Sequence, residues 1–380
     1  LSTSSKYDFI ICGAGCAGLS LAMRMIASKK FSDKKVLLID QDLQKSNDRT
    51  WCFWQNKQHL FEDIVYKRWN RMFFFGENFS SEFDIAPVEY KMIRAIDFYN
   101  HCLNEIRQHK NFEIVSAPVE AILTNGQPAI VVNGKDIYAD YVFNSILFEK
   151  PRLANRDIWM HQHFKGWRIQ TGQDVFDASV ATLMDFRTDQ RFGTAFCYLL
   201  PFNSREALVE YTLFSEKLIS DSQYDEGLKS YINDILNISS YTITEKEFGI
   251  IPMTNYKFPK HENGVIHIGT AGGQTKSSSG YTYNFIQKHS EAIVDALIST
   301  GKPYIKEDSS RFDYYDSVLL QVLYDGKISG KEIFTDLFKK NSIHKVLKFL
   351  DNESSLVEEI KIISSLPMLP FVKAGIQQLV

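Results

Sequence analysis

Residues 208–214 set one carboxylic acid into an apolar run, Leu208-Val209-Glu210-Tyr211-Thr212-Leu213-Phe214. Period-2 alternation places Leu208, Glu210, Thr212 and Phe214 on one side of a strand, with Val209, Tyr211 and Leu213 on the other. A carboxyl among apolar strand neighbours loses the hydration that favours its charged form, so its pKa rises and its proton stays available at neutral pH. A second constellation suits a phosphate. Gly13-Ala14-Gly15-Cys16-Ala17-Gly18 follows the run from Tyr7 to Cys12 and precedes an apolar helical stretch, Leu19 to Ile26. Gly13 permits the tight turn, Gly15 lets a pyrophosphate approach the backbone, and Gly18 lets the helix pack on the strand. The helix N-terminus then faces the phosphate charge. Val36-Leu37-Leu38-Ile39 ends on Asp40, 22 residues after Gly18, where a carboxylate accepts the hydroxyls of an adenosine ribose. A glycine triplet by itself marks only a turn before a packed helix; strand, turn, helix, strand and acid in this order point to a dinucleotide.

A second strand–glycine loop–helix unit lies late in the chain. Val265 to Gly269 reads as a buried strand, runs through Thr270-Ala271-Gly272-Gly273, and leads to a helix with Phe285, Ile286, Ile293 and Leu297 at apolar positions. In two-part sites the first unit binds the adenosine half and the second reaches the ribityl and isoalloxazine half, which favours FAD over NAD. Between the units, Trp69–Phe75, Phe112–Val115, Val119–Leu123, Ile130–Val132 and Tyr141–Ile146 read as strands, and Asn133-Gly134 as a hairpin turn. Residues 91–108 have helical spacing, with Arg94 near the start. From 157 to 250 the pattern is β-rich, with a helix predicted over 225–235 and a last strand that ends at Pro252. The tail from 308 reads as amphipathic helices over 318–324, 331–340, 343–350 and 356–366, the last opened by a Ser355/Glu358 capping box. The predicted class is α/β. A FAD-binding Rossmann-like domain of glutathione-reductase type (1–156 and 248–305) carries an inserted antiparallel-sheet substrate domain (157–247) and a C-terminal helical region (306–380).

A net charge of −3 and a pI near 6.3 argue against nucleic-acid binding driven by bulk charge. Cys12, Cys16, Cys52, Cys102 and Cys197 are scattered with no C-x-x-C pair, which suits reduced thiols in a cytosolic protein and no zinc site. No signal-peptide pattern is visible and no apolar run approaches the ~20 residues that span a bilayer, so membrane contact is expected to be peripheral. The 28 Phe and 18 Tyr either fill a plain core or line a large apolar cavity. In the tail, Lys339, Lys340, Lys345 and Lys348 lie beside Phe338, Ile343, Leu347, Phe349 and Leu350. That mixture suits a membrane surface, or equally a helical subdomain with a solvated basic face.

Several motifs stand in a fixed order across nearly the whole chain. They are the Gly13–Gly18 fingerprint, Asp48-Arg49-Thr50-Trp51-Cys52-Phe53-Trp54, His163-Phe164-Lys165-Gly166-Trp167 and Met184-Asp185-Phe186. They continue with Leu208–Thr212, Gly249-Ile250-Ile251-Pro252-Met253 and Gly269 to Tyr281. Together they resemble the bacterial lycopene β-cyclase family, and the resemblance implies a flavin-dependent enzyme that closes β-ionone rings on lycopene, a linear C40 carotene, through γ-carotene to β-carotene. It also implies a key acid in a Phe-Leu-Glu-Glu-Thr-like motif. Here Glu210 matches the first acid and Tyr211 replaces the second, which leaves a role for two adjacent carboxyls without its second member. Thr270 stands where many flavoproteins carry an Asp.

Ring closure moves no net electrons. A proton adds to C2, the C5=C6 bond attacks the cation at C1, and C6 loses a proton. Glu210 is the expected acid, with Asp185 and Glu247 in reserve. Gly13, Gly15, Gly18 and Asp40 are expected to hold FAD, with Arg49 and Arg94 beside its phosphates, the Val119 backbone at adenine, and Gly269, Gly272 and Gly273 at the flavin end. Trp51, Phe53, Trp54 and Trp167 are candidates to face a passing carbocation. The flavin is expected in its reduced form, with NAD(P)H as electron donor. The substrate is drawn from lipid, which places the protein in the cytoplasm against the inner face of the cell membrane. The alternative is a redox flavoprotein, an isoprenoid hydroxylase or a geranylgeranyl reductase-like enzyme.

Overall fold

The computed structural model describes residues 7–306 and 311–379; the first six residues of the expected cofactor domain, and 307–310 and 380 of the expected tail, lie outside the described residues. In chain order the first elements are β1 (Tyr7–Cys12), α1 (Cys16–Ser28), β2 (Val36–Asp40), β3 (Thr50–Gln55), β4 (Lys67–Trp69), β5 (Arg71–Gly76), β6 (Phe79–Asp84), β7 (Glu89–Arg94) and α2 (Ala95–Ile106). Then come β8 (Phe112–Ser116), β9 (Ala121–Leu123), β10 (Ala129–Val132), β11 (Lys135–Asn144), β12 (Trp159–Gln170), β13 (Val180–Asp185), β14 (Thr194–Asn203), β15 (Glu206–Ser215) and α3 (Asp221–Ser230). The chain ends with β16 (Thr242–Thr254), β17 (His261–Glu262), β18 (Val265–His267), α4 (Tyr283–Thr300), α5 (Arg311–Asp325), α6 (Gly330–Lys340), α7 (Ile343–Leu350), α8 (Leu356–Ser365) and α9 (Met368–Leu379).

β1 and β2 are continuous apolar runs because both faces of their sheet are covered. β1 pairs in parallel with β2 and β11, β2 with β8, and β11 with β18. α1, α2 and α4 cover one face, and the β9–β10–β11 meander covers the other. Asn133 and Gly134, with φ of 51° and 68°, make the hairpin turn that their identity predicts.

The second sheet has the order β16-β12-β15-β14-β13-β5-β6. Besides the strands after 157 it recruits β5 and β6 from residues 71–84, and β16 runs on to Thr254. The single strand predicted over 69–75 is divided at Asn70, with β4 in a small third sheet and β5 in the second. Pro252 does not end β16. This strand lies at the sheet edge, where a missing backbone donor is tolerated. The helix predicted over 91–108 starts only at Ala95: 90–93 are all buried as the strand β7 between β3 and β4, which a helix-period pattern does not require. The expected helix at 225–235 is α3 with a π-turn appended over Tyr231–Ile235.

One face of the second sheet packs against α3, burying Trp167, Val209, Tyr211 and Leu213 with Tyr224 and Leu228. The opposite face carries Phe196, Tyr198, Leu208 and Phe214 into the largest core, which α6 closes with Phe334 and Phe338. The tail is thus a lid on the sheet. Phe338, Ile343, Leu347 and Leu350 are buried, so the basic residues beside them form a solvated face. The exposed apolar residues of the tail lie instead on α8 and on α9, a helix that the pattern leaves unpredicted.

Candidate functional site

The β1–α1 turn and the loop after β18 meet in one cleft of about 460 Å³, bordered by Gly15, Ala17, Asp40, Arg49, Gly269 and Thr270. A second space of about 330 Å³ adjoins it at Asp40 and Gln41 and is bordered by Gly13 and Val119. The glycines do different work. A Cβ on Gly18 would run into the Gly13 carbonyl oxygen, so Gly18 serves internal packing. A Cβ on Gly15 would meet no protein atom within 4 Å, and the residue sits at an ordinary φ of −94°. The protein itself therefore does not require glycine there, and the bare backbone is left open to the cleft. α1 begins at this point with no side-chain cap and no acidic residue in its first turn, leaving its N-terminal N–H groups for an anion. These features fit the pyrophosphate of a dinucleotide. The Asp40 carboxylate accepts the Ala14 N–H (2.6 Å) and meets Lys45 (3.2 Å), so it holds the glycine turn while facing the cleft.

Gly269, with φ +58°, brings the second loop against the start of α1, where an added Cβ would lie 2.8 Å from that of Ala17. Gly272 turns under the His267 carbonyl, and Gly273 borders a separate cavity behind the loop. Arg49 borders the cleft and pairs with Asp48 at 2.7 Å. Arg94 does not border it: the guanidinium is held by Asp97 (2.6 Å) over the Tyr66 ring, beside Glu247 and Arg168. The shift of the helix start to Ala95 explains this position, since Arg94 ends a strand that pairs with Thr50.

Glu210 has a close neighbour that its own strand does not supply. β12 lies between β15 and β16, and Gly166 pairs with Glu210 on one side and Glu247 on the other. Directly opposed residues face the same side of a sheet, so the two carboxyls flank a position without a side chain. A Cβ on Gly166 would lie 2.7 Å from Glu247 Cγ and 3.0 Å from its Oε1. The two carboxyls face each other across this gap, close enough for the charge of Glu247 to act on Glu210. Thr212 donates its hydroxyl to Glu210 Oε1 at 2.7 Å, and Thr50 donates to Glu247 Oε2 at 2.8 Å. Glu247 Oε1 is buried with no hydrogen-bond partner among the described residues. Burial, then the neighbouring Glu247 charge, raises the Glu210 pKa far above the carboxylate range. Burial also raises that of Glu247, to about 7, against the opposing effect of the Thr50 hydroxyl. Glu210 is half-buried by accessible surface, and Glu247 is buried.

Thr50 joins the two regions. Its neighbours Arg49 and Trp51 border the dinucleotide cleft, while its own hydroxyl holds Glu247. Tyr198 sits beside Glu210 on β14, near Tyr281 from the second glycine loop, whose hydroxyl is buried without a hydrogen-bond partner among the described residues. Trp54 meets Tyr281 edge-on at 4.9 Å.

The other expected residues separate. Asp185 is fully buried, but Arg187 (2.6 Å) and Tyr231 (2.9 Å) occupy its carboxylate, on the α3 side. Trp167 follows Gly166 and so faces α3, away from Glu210. Phe53 stacks on Tyr283 at 4.3 Å in the core beneath α1, α2 and α4, and Trp51 remains at the cleft. Tyr211 packs against Gly227 on the α3 face. Gly166 and the two threonines carry no chemical signature of their own; a glycine in a strand interior is the one local sign of a close approach.

The family described as Lycopene cyclase protein matches residues 8–375. The chain is 22% identical over 396 residues to a lycopene beta-cyclase of a Paracoccus species, covering 96% of this chain and 95% of that protein. It is 23% identical over 332 residues to the chloroplastic neoxanthin synthase of Solanum lycopersicum, covering 79% of this chain but only 63% of that protein's length. Among solved structures, it is similar to a geranylgeranyl bacteriochlorophyll reductase-like protein from Thermoplasma acidophilum (TM-score 0.64, 12% identity, 98% and 99% of the two chains). A flavin-dependent brominase is also similar (TM-score 0.55, 12% identity, 94% and 92%). The fold is the Rossmann-type fold of flavoproteins, and the chain belongs to the lycopene cyclase family.

Proposed function

We propose that this protein is a lycopene β-cyclase that converts the linear ends of lycopene to β-ionone rings, with FAD held in the cleft at Gly13, Gly15, Gly18 and Asp40. The observation that carries this reading is a carboxyl, Glu210, set opposite Glu247 across Gly166 on an aromatic sheet face that Thr50 links to a dinucleotide cleft. Residues 1–156 with 248–305 hold the cofactor in this proposal, 157–247 the polyene, and the tail closes the substrate face.

An alkene is a very weak base, so its proton donor must be un-ionised, dry and aimed at one carbon. Burial keeps the Glu210 proton in place at neutral pH, and the Thr212 hydroxyl fixes the orientation of the carboxyl. Trp54, Tyr198 and Tyr281 surround the position with ring faces and hydroxyls that burial keeps un-ionised. When bound and reduced, flavin supplies negative charge beside the developing cation without transferring electrons. A unit charge at about 4 Å is worth about 4 kcal/mol at an effective dielectric of ~20, or roughly a thousandfold in rate. NAD(P)H is the proposed source of the reducing electrons.

At about 0.8 kcal/mol per CH₂-sized group, a C40 hydrocarbon does not enter from water, so the protein must dock on lipid. No helix is long and apolar enough to cross a membrane among the described residues. α8 and α9 expose Leu356, Val357, Ile360, Met368, Leu369, Val372, Ile376 and Leu379 beside Lys361 and Lys373. An apolar face flanked by lysines suits an anionic bilayer surface, and we assign peripheral docking to it.

Expression in a lycopene-accumulating cell tests the function. The expected product is an orange pigment of unchanged mass, formed anaerobically only after reduction by NAD(P)H or dithionite. Added oxygen or hydrogens in the product would indicate a redox flavoprotein instead, and equal turnover with oxidised flavin would remove the electrostatic role.

A further inference from the structure

We infer that Glu210 and Glu247 act as a one-proton carboxyl dyad, in which Glu210 delivers a proton to C2 of the polyene end and Glu247 receives the proton that leaves C6. This rests on the cyclase reading and adds the base and the return path of the proton.

The geometry is that of two acids built to share. Strand register places them on either side of Gly166, and the missing side chain lets them meet. Thr212 occupies an oxygen of Glu210 and Thr50 an oxygen of Glu247, while Glu247 Oε1 has no donor other than a proton held between the carboxyls. Two like charges at this separation do not both ionise. Both carboxyls are pushed upward by burial, the direction expected where two buried acids hold one proton between them, and Glu210 is the member that stands beside Tyr198 on the aromatic face.

The groups that face the pair leave it to govern its own proton. Tyr198 from β14, Tyr281 from the second glycine loop and Cys52 from β3 all have pKa values raised by burial and stay neutral. Asp48 and Glu245 add negative charge on the Glu247 side. Arg94 is engaged by Asp97, and Arg168 by Glu206 (2.7 Å) and Glu245 (2.9 Å).

The step balances without a co-reactant. The C1=C2 electron pair takes the Glu210 proton and forms the C2–H bond, leaving the cation at C1. The C5=C6 pair forms the C1–C6 bond and moves the cation to C5. The C6–H pair then forms the C5=C6 bond, and the released proton passes to Glu247. Transfer across the shared hydrogen bond restores Glu210. C2 and C6 are both bonded to C1 in the new ring, so one dyad reaches both.

The test compares pH–rate profiles of the FAD-loaded wild type with E247Q, G166A and T50V. The wild type requires the singly protonated pair, so its rate falls on the acid side as Glu247 protonates and on the alkaline side as Glu210 ionises. E247Q is expected to lose the acid limb and about a hundredfold or more in kcat. T50V removes a hydrogen bond to the carboxylate and is expected to move the acid limb to higher pH. G166A keeps both carboxyls but displaces Glu247, and is expected to move the alkaline limb to lower pH. A second readout needs no turnover: the infrared carboxylic-acid band lost on going from wild type to E210Q should shift in G166A. Unchanged profile shapes in E247Q and T50V, or an unshifted band in G166A, would overturn the dyad. Failure of the wild type to cyclise lycopene would instead defeat the cyclase reading, with the infrared comparison still deciding whether the proton is shared.

Discussion

Replacing Leu369, Val372 and Ile376 together by serine tests the lipid face. They lie at i, i+3 and i+7 on α9 and are 86%, 53% and 58% exposed. The opposite side of the helix holds α9 in place, with Ala374 and Gly375 buried and Tyr314 donating to the Gly375 carbonyl at 3.1 Å. The triple substitution therefore leaves the fold intact. The exposed portions amount to about two full aliphatic side chains, worth roughly 4 kcal/mol if all of it enters lipid. At 1.4 kcal/mol per factor of ten, that is up to about a thousandfold in the partition constant. The assay is sedimentation with vesicles containing anionic lipid, alongside thermal unfolding of each protein. The expected result is an unchanged midpoint with vesicle binding reduced by two to three orders of magnitude. Undiminished binding by the triple variant would refute docking through α9. Deleting 331–380 is a poorer test, because α6 and α7 bury Phe334, Phe338, Leu347 and Leu350 in the main core and their loss opens it.

Gly15→Ala is expected to fold with the wild-type melting temperature but to purify without flavin absorbance, whereas Gly18→Ala, which drives a Cβ into the Gly13 carbonyl, should lower the melting temperature measurably. Glu210→Gln is expected to retain FAD, read from its absorbance, while ring formation from lycopene falls below detection; full activity would move the acid role elsewhere.

The parts of this molecule that were legible in the sequence are those whose cause is local. The β1–α1–β2 unit follows from contiguous apolar runs and a glycine turn, and the Asn133-Gly134 hairpin follows from two residues that tolerate positive φ. The sidedness of Glu210 and Tyr211 follows from a period of two. The β7 strand was obscured because Ile93, Ile96 and Phe98 fit helical spacing, while the strand depends on partners at Thr50–Gln55 and Lys67–Trp69 that no local window contains. α9 begins Met368-Leu369-Pro370, where a proline that is harmless in the first helical turn reads as a stop. The Glu210–Glu247 contact joins residues that meet only when three strands adopt one register. Glu247 could be named from its residue type, but not its relation to Gly166.

The same register accounts for the departure at Tyr211. Adjacent residues on a strand face opposite sides of a sheet, so an acid at 211 would lie against α3, among Tyr224, Leu228 and Gly227, with the sheet between it and Glu210. Two consecutive acids in this strand cannot form a pair over one substrate, whichever residue occupies the second position. A carboxyl partner for Glu210 must come from the same face of a neighbouring strand. Direct neighbours on β12 and β14 are Gly166 and Tyr198, and the next strand along from Gly166 contributes Glu247. Tyrosine at 211 therefore removes no acid from the site; it fills the α3 interface, where a buried carboxyl would be unfavourable. What the chemistry cannot lose is the empty place between β15 and β16, because any side chain at 166 would stand between the two acids.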